Sequence, residues 1–267
     1  MEDLAALQAL YDRKMRIELI LPDDPKEILG ADFPEIVRFR RPPPRRSLVL
    51  YAHLTPAAAD AAIAAQVAAL TAQGQALEWD ICAHDQPVDL QARLAAQGFA
   101  LEESGAILML APAAAPADLL APVTADIRRV THPDQLPALV AIMEQVWGSD
   151  FAWMYAQYGR DLALPGYLSM YLAYVAGQPA AAAWTYYYAQ APGGAADHPF
   201  AGLWGGSTLP AYRGRGLYTA LLAIRVQEAR ARGLPYVMVD AVPASAKILR
   251  RFGFTEITQT HAMLYQP

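Results

Sequence analysis

The 267 residues predict a mixed α/β protein whose sheet is mostly antiparallel and flanked by helices, built as two tandem domains. Three observations point there. Apolar residues make up 55% of the chain and charged ones only 18%, which is ample for packed cores. Strand-like and helix-like runs alternate along most of the length. The alternation also occurs twice in the same order, on either side of the alanine- and proline-rich segment APAAAPADLLAP at 111–122. The division is placed in that segment, giving domains 1–120 and 121–267.

In the first half SLVLYAHL reads as a strand, Thr55 to Gln73 as a helix, and ALEWDICA after Gly74 as a strand. PVDLQARLAAQ then reads as a helix, and SGAILML after Gly98-Phe99 as a closing strand. The second half opens with a strand at 126–130, a helix at 134–147 and an aromatic-rich helical region at 150–163. Strands follow near 168–175, 179–188 and 201–209, with a hairpin signal at Ala176-Gly177-Gln178 and a longer loop opened by Pro192-Gly193-Gly194. A helix from about Arg215 to Arg232, the strand PYVMVDA, the helix SAKILRRF and the run HAMLY after Gly253-Phe254 complete it. Internal duplication and a chance recurrence of αβαβ order both account for the rhyme.

No stretch supplies the roughly 20 uninterrupted apolar residues of a membrane-spanning helix. MEDLAALQALYDRKMR has acidic residues where a signal peptide needs a basic start, so a cytoplasmic protein is expected. The one cysteine, Cys82 in EWDICAH, has no CxxC and no Cys/His ligand set beside it; a buried inert thiol is expected, and no metal. Residues 1–120 carry a formal charge of −7 and residues 121–267 one of +2, which argues against nucleic acid as partner. RFRRPPPRR, from Arg38 to Arg46, is the local exception, readable as a solvated connector or as an anion site.

The most informative stretch is LPAYRGRGLYTALL at 209–222. From Leu217 onward Ala220, Leu221 and Ile224 share a face, Arg225, Glu228 and Arg232 lie largely off it, and Gly233 supplies a stop. A helix therefore starts inside the stretch, and its first turn leaves about four N–H groups unpaired beside roughly half a positive charge. Gly214 and Gly216 let the chain curl and a bulky anion approach, while Arg213 and Arg215 add charge. Such a junction suits a phosphate, above all a pyrophosphate. A Walker loop would need Gly-Lys-Ser/Thr, and a dinucleotide fingerprint would need glycine where Thr219 stands, so neither is present.

The pattern R-x-x-G-x-G/A, following a strand that ends in an aliphatic residue and proline, resembles the GCN5-related N-acetyltransferase family. The residues that carry the resemblance are Leu209-Pro210, Arg213-Gly214-Arg215-Gly216 and the helix after them, then PYVMVDA, SAKILRR and Gly253-Phe254. In element order it spans 125–265. It implies acetyl-CoA as acyl donor, with its pyrophosphate on the backbone of Arg213 to Gly216 and on Leu217, Tyr218 and Thr219. Its pantetheine arm would run along Thr208 and Leu209. Ser245 would bond that arm or cap the following helix. The first half resembles a degenerate copy, since HLTPAAADAAIAAQ has neither glycine nor arginine where the loop would be; one cofactor site and a scaffolding first half follow.

The sequence departs from the family at four places. The motif's last position is Tyr218, whose ring is expected to turn away from the loop and pack on the core. The tyrosine that serves relatives as general acid is replaced by Leu249, an asparagine is missing from AVPASAKIL, and AGLWGGSTL lacks the glutamate base. Asp240 is the expected base, with Ser207 positioning water; Glu144 and His261 are further candidates, and Asp240 reads equally as a helix cap or an arginine's partner. Trp147, Phe151, Trp153, Tyr155 and Tyr158, with Trp184, Tyr186 and Tyr188 on one strand face and Tyr187 on the other, read as core packing or as a wall for a cationic amine. The expected function is acetyl transfer to the amine of a small molecule or peptide by direct attack. The alternative is a non-catalytic acetyl-CoA sensor. Neither a membrane nor a nucleic acid is an expected partner.

Overall fold

The structure, a computed structural model, describes residues 3–21, 23–41, 43, 45–71 and 74–267. In chain order the first elements are α1 (Leu4–Tyr11), continued by a π-helical turn at Asp12–Ile17, then β1 (Lys26–Leu29), β2 (Ile36–Phe39), β3 (Ser47–Ala52), α2 (Ala59–Thr71), β4 (Leu77–Cys82), α3 (Leu90–Ala96) and β5 (Ala100–Leu110). The next are α4 (Ala117–Leu120), β6 (Asp126–Val130), α5 (Leu136–Trp147), α6 (Trp153–Leu162), β7 (Leu168–Val175), β8 (Gln178–Tyr187) and β9 (Phe200–Thr208). The last four are α7 (Leu217–Ala231), β10 (Tyr236–Ala241), α8 (Pro243–Arg251) and β11 (Thr255–Tyr265). The fold is mixed α/β, its sheet mostly antiparallel and flanked by helices. Gln73, the expected end of the first long helix, and Pro42 and Pro44 of the arginine-rich run lie outside the described residues.

By contacts the chain forms two compact units. The first comprises Met1–Leu108, Asp240–Ile248 and Glu256–Pro267; the second comprises Met109–Val239 and Leu249–Thr255. The division falls at 108/109, ahead of the alanine- and proline-rich segment expected to mark it, and two C-terminal pieces group with the first unit.

Within the first unit the strands run in the order β1-β2-β3-β4-β11-β5. β3 and β4 are parallel, and β4 pairs antiparallel with β11 from Cys82 opposite Thr260 to Leu77 opposite Tyr265. The core beside them holds Ile36, Val49, Ile63, Leu77, Trp79, Leu90, Leu94 and Phe99. Arg16 is buried and donates two 2.6 Å bonds to Asp85, a forked pairing that leaves neither charge alone.

Within the second unit the order is β10-β9-β8-β7-β6, antiparallel except for the parallel β9–β10 pair. Ala176 (φ 50) and Gly177 (φ 77) both take left-handed conformations between β7 and β8, the requirement of a tight two-residue hairpin. α5 stops at Gly148 (φ 68), whose N–H bonds the Glu144 carbonyl at 2.8 Å. The alanine- and proline-rich segment is packed: Leu119 is fully buried, and Gln227 of α7 donates to the carbonyls of Leu119 and Ala121.

Candidate functional site

The second unit's site begins on β9. Opposite β8 the register is Trp184 to Trp204, but Ala182 to Ser207, so β9 carries one extra residue at Gly205-Gly206. Gly205 has φ 64, and a β-carbon there would stand 1.8 Å from Trp184 Cζ3. The glycine is needed for backbone conformation and for space alike, as in a bulge that turns a strand locally. On the other side the parallel register runs from Tyr236 opposite Phe200 to Met238 opposite Gly202. The β10-facing edge of β9 from Leu203 to Thr208 therefore lies beyond the ladder.

Past β9 the chain turns through a 3-10 segment at Pro210–Tyr212, and the Arg213 side chain donates back to the Thr208 carbonyl at 3.2 Å. Gly214 (φ 74) and Gly216 (φ 75) follow, the latter capping α7 with no side-chain hydrogen bond. A β-carbon on either glycine would meet nothing within 4 Å. The first bond of α7 runs from the Ala220 N–H to the Gly216 carbonyl, so the amides of Leu217, Tyr218 and Thr219 precede it at the positive helix end. Arg213 and Arg215 are exposed beside them. The Tyr218 ring packs against Gly206, 3.0 Å from where its β-carbon would be, and not over the loop. The turn before α2 is closed by local bonds: the N–H groups of Ala58 and Ala59 donate to the Thr55 carbonyl, and that of Ala58 also to the Thr55 hydroxyl.

Ser207 is buried, and its hydroxyl accepts the Trp147 indole N–H at 2.9 Å. The Thr208 hydroxyl is buried with no hydrogen-bond partner among the described residues, and Leu209 donates its N–H to the Ala180 carbonyl. Asp240 groups with the first unit, where Thr260 donates to it at 3.0 Å. Although its side chain keeps solvent contact, the protein crowded around it raises the carboxyl above its ordinary range; Glu103 adds to the rise and Thr260 opposes it. The capping reading of Ser245 is corrected: α8 starts at Pro243, the Val242 carbonyl takes the Ala246 N–H, and Ser245 lies within the first turn. Leu249 is fully buried, Glu144 is exposed, and His261 meets the Ser104 hydroxyl at 3.0 Å.

The aromatic groups divide. Trp184, Tyr186, Tyr187 and Tyr188 are buried, with Tyr187 under the Arg232 guanidinium on the opposite face from the other three. Trp147, Trp153 and Tyr155 are close to half exposed. Ring contacts run from Phe151 through Trp153 and Tyr158 to Trp184, ending at the bulge.

Three groups that sequence spacing did not assemble also meet. Asp12, Cys82 and His84 place ligand-type atoms within 4.8 Å of one another. His84 lies between Asp12 and Thr258, Asp12 also accepts from Arg16, and burial pushes the Cys82 thiol up. The arginines of the 38–46 run are ion-paired within the chain: Arg38 and Arg40 with Glu27, Arg41 and Arg45 with Asp24, and Arg46 with Glu78 and Glu102.

The second unit thus brings together a bulged strand, an edge beyond its ladder and a glycine loop leading into uncapped helix amides. Residues 126–257 match the family model described as an acetyltransferase (GNAT) domain. A GCN5-related N-acetyltransferase from Kribbella flavida superposes with a TM-score of 0.69 at 16% identity, over 100% of this chain and 96% of its own. A functionally unknown conserved protein from Staphylococcus epidermidis gives 0.64 at 14%, over 92% and 96%. A tandem GNAT protein from the clavulanic acid biosynthesis pathway gives 0.60 at 14%, over 97% and 86%. At these identities the likeness is one of fold. No curated protein matches the sequence. Among the described residues no helix is long and apolar enough to cross a membrane.

Proposed function

We propose that the chain is an acetyl-CoA-dependent N-acyltransferase that passes acetyl to the amine of a small molecule or peptide. The observation that carries this is the uncapped start of α7, where Gly214 and Gly216 face open space and the amides of Leu217 to Thr219 have no helical acceptor. Acetyl-CoA supplies the thioester that is cleaved. Amides from Arg213 to Thr219 bind its pyrophosphate, with Arg213 and Arg215 adding charge. The edge of β9 from Leu203 to Thr208 offers backbone bonds to the pantetheine arm, and the Thr208 hydroxyl offers one more.

At pH 7 an amine of pKa about 10.4 is less than roughly 0.1% neutral, so a group must take its proton. Asp240, two residues beyond Met238 on the strand paired with β9, is the proposed base. Ser207 accepts from Trp147 and keeps its own O–H, which orients a water toward the amine. The amine nitrogen then bonds the carbonyl carbon, the C–S bond breaks, and CoA leaves as thiolate. A thiolate needs little acid help, which accommodates leucine at 249. We read the first half as a degenerate copy that serves as scaffold.

A second reading, an acetyl-CoA sensor, is favoured by the burial of Leu249, which leaves no hydroxyl at the acid's usual position. Calorimetry with acetyl-CoA, followed by thiol release across a panel of amines, peptides and polyamines, separates the two. Binding with turnover supports the transferase, binding without turnover supports the sensor, and no binding defeats both.

A further inference from the structure

Helical spacing puts Arg225 off the apolar face of α7, yet it is only 2% exposed. A buried guanidinium usually meets a carboxylate. This one bonds backbone instead: Nε donates to the Leu221 carbonyl at 2.8 Å, and Nη1 donates to the carbonyls of Trp184 and Trp204 at 3.3 and 3.2 Å. Those two residues face each other across β8 and β9 at the last register position before the bulge. Nη2 lies 3.8 Å from where a β-carbon on Gly206 would be. The titratable groups acting on Arg225 are the hydroxyls of Tyr218, Tyr187 and Tyr171. Burial lowers its pKa to about 10, which keeps it charged at neutral pH.

A methionine would fill similar space at no electrostatic cost, so the retained charge calls for a use. A bulge interrupts the ladder and leaves carbonyls in need of donors, which the forked guanidinium supplies to both strands at once. We infer that Arg225 is the positioning residue of the acyl site. It ties β8 to β9 at the bulge and thereby aims the Gly205–Ser207 backbone at the thioester carbonyl, with its charge favouring negative charge on that oxygen. This rests on β9 being the acyl-donor strand.

The test uses the full chain with R225M and R225K and acetyl-CoA labelled with carbon-13 at the carbonyl. On binding to wild type the carbonyl resonance moves downfield. R225M is expected to bind within about threefold of wild type, to lose most of that movement, and to lower kcat about thirtyfold with little change in KM. R225K, which keeps the charge, recovers part of both. Wild-type carbonyl shift and kcat in R225M overturn the inference while leaving the donor reading intact. If wild type binds no acetyl-CoA, the donor reading falls, and with it the acyl-site role. Exchange of the Gly205 and Gly206 amides reads the tie separately. Exchange about tenfold faster in R225M, with α7 amides unchanged, supports it, and equal exchange refutes it. Where R225M does not fold, R225Q takes its place.

Discussion

The six-membered ring of Trp184 occupies the place a β-carbon on Gly205 would take, with Cζ3 at 1.8 Å and Cη2 at 2.0 Å from it. Backbone and indole are thus fitted to each other where the pairing of β9 with β8 shifts register. Gly205→Ala should cost about 2–4 kcal/mol, combining left-handed strain with overpacking. In a double-mutant cycle with Trp184→Ala the steric part should vanish and the strain of about 1–2 kcal/mol should remain. Urea denaturation of the four proteins checks this; strict additivity would show that the ring does not press on the bulge.

Gly214 and Gly216 present the opposite case, since both have positive φ but open surroundings. Valine at both should cost about 1–2 kcal/mol per site in strain and leave a folded protein. Acetyl-CoA affinity should fall by at least about tenfold as side chains shield the helix amides. Unchanged affinity in the folded double variant would remove the phosphate reading.

Asp240 carries a raised carboxyl pKa, so as the base it becomes active only as pH climbs through that elevated value. The wild-type rate should show an acid limb centred above the ordinary aspartate value of about 3.9. Asp240→Asn should lose the limb, and turnover should drop about a hundredfold or more with little effect on acetyl-CoA binding. Full activity would turn attention to the exposed Glu144. On stability the sign is reversed: a raised carboxyl favours the fold at low pH, and that contribution is lost as pH rises through the folded value.

Glu228 accepts from Tyr171 at 2.6 Å, Arg232 at 2.7 Å and Ser169 at 2.9 Å, with Arg129 nearby at 3.3 Å. Burial opposes its ionisation, but these partners win and hold its carboxyl below the usual value. Its contribution is therefore present at neutral pH and lost as pH falls through the depressed folded value. Glu228→Gln should destabilise the protein by about 1–3 kcal/mol at pH 7, a gap that narrows toward pH 3. A gap of equal size at both values would mean that the charge is not what Glu228 contributes.

What sequence alone determined was local. Apolar spacing and turn residues placed β6, β7, β8 and α7 within a residue or two, because strand and helix periods and left-handed glycines are properties of neighbours along the chain. The loop at Arg213 to Gly216 was legible for the same reason. Arg225 was not, because a charge on a polar-looking flank enters the core only when carbonyls across β8 and β9 are there to receive it. Nor was the strand order. HAMLY has the pattern of a closing strand in either half, and only tertiary pairing sets His261 opposite Ile81 and makes β11 part of the first unit. Likewise the arginine-rich run reads as free charge until Asp24, Glu27, Glu78 and Glu102 fold against it. A one-dimensional pattern records which residues seek burial or a partner; which partner they find depends on segments far away in the chain, and that is decided when the whole chain packs.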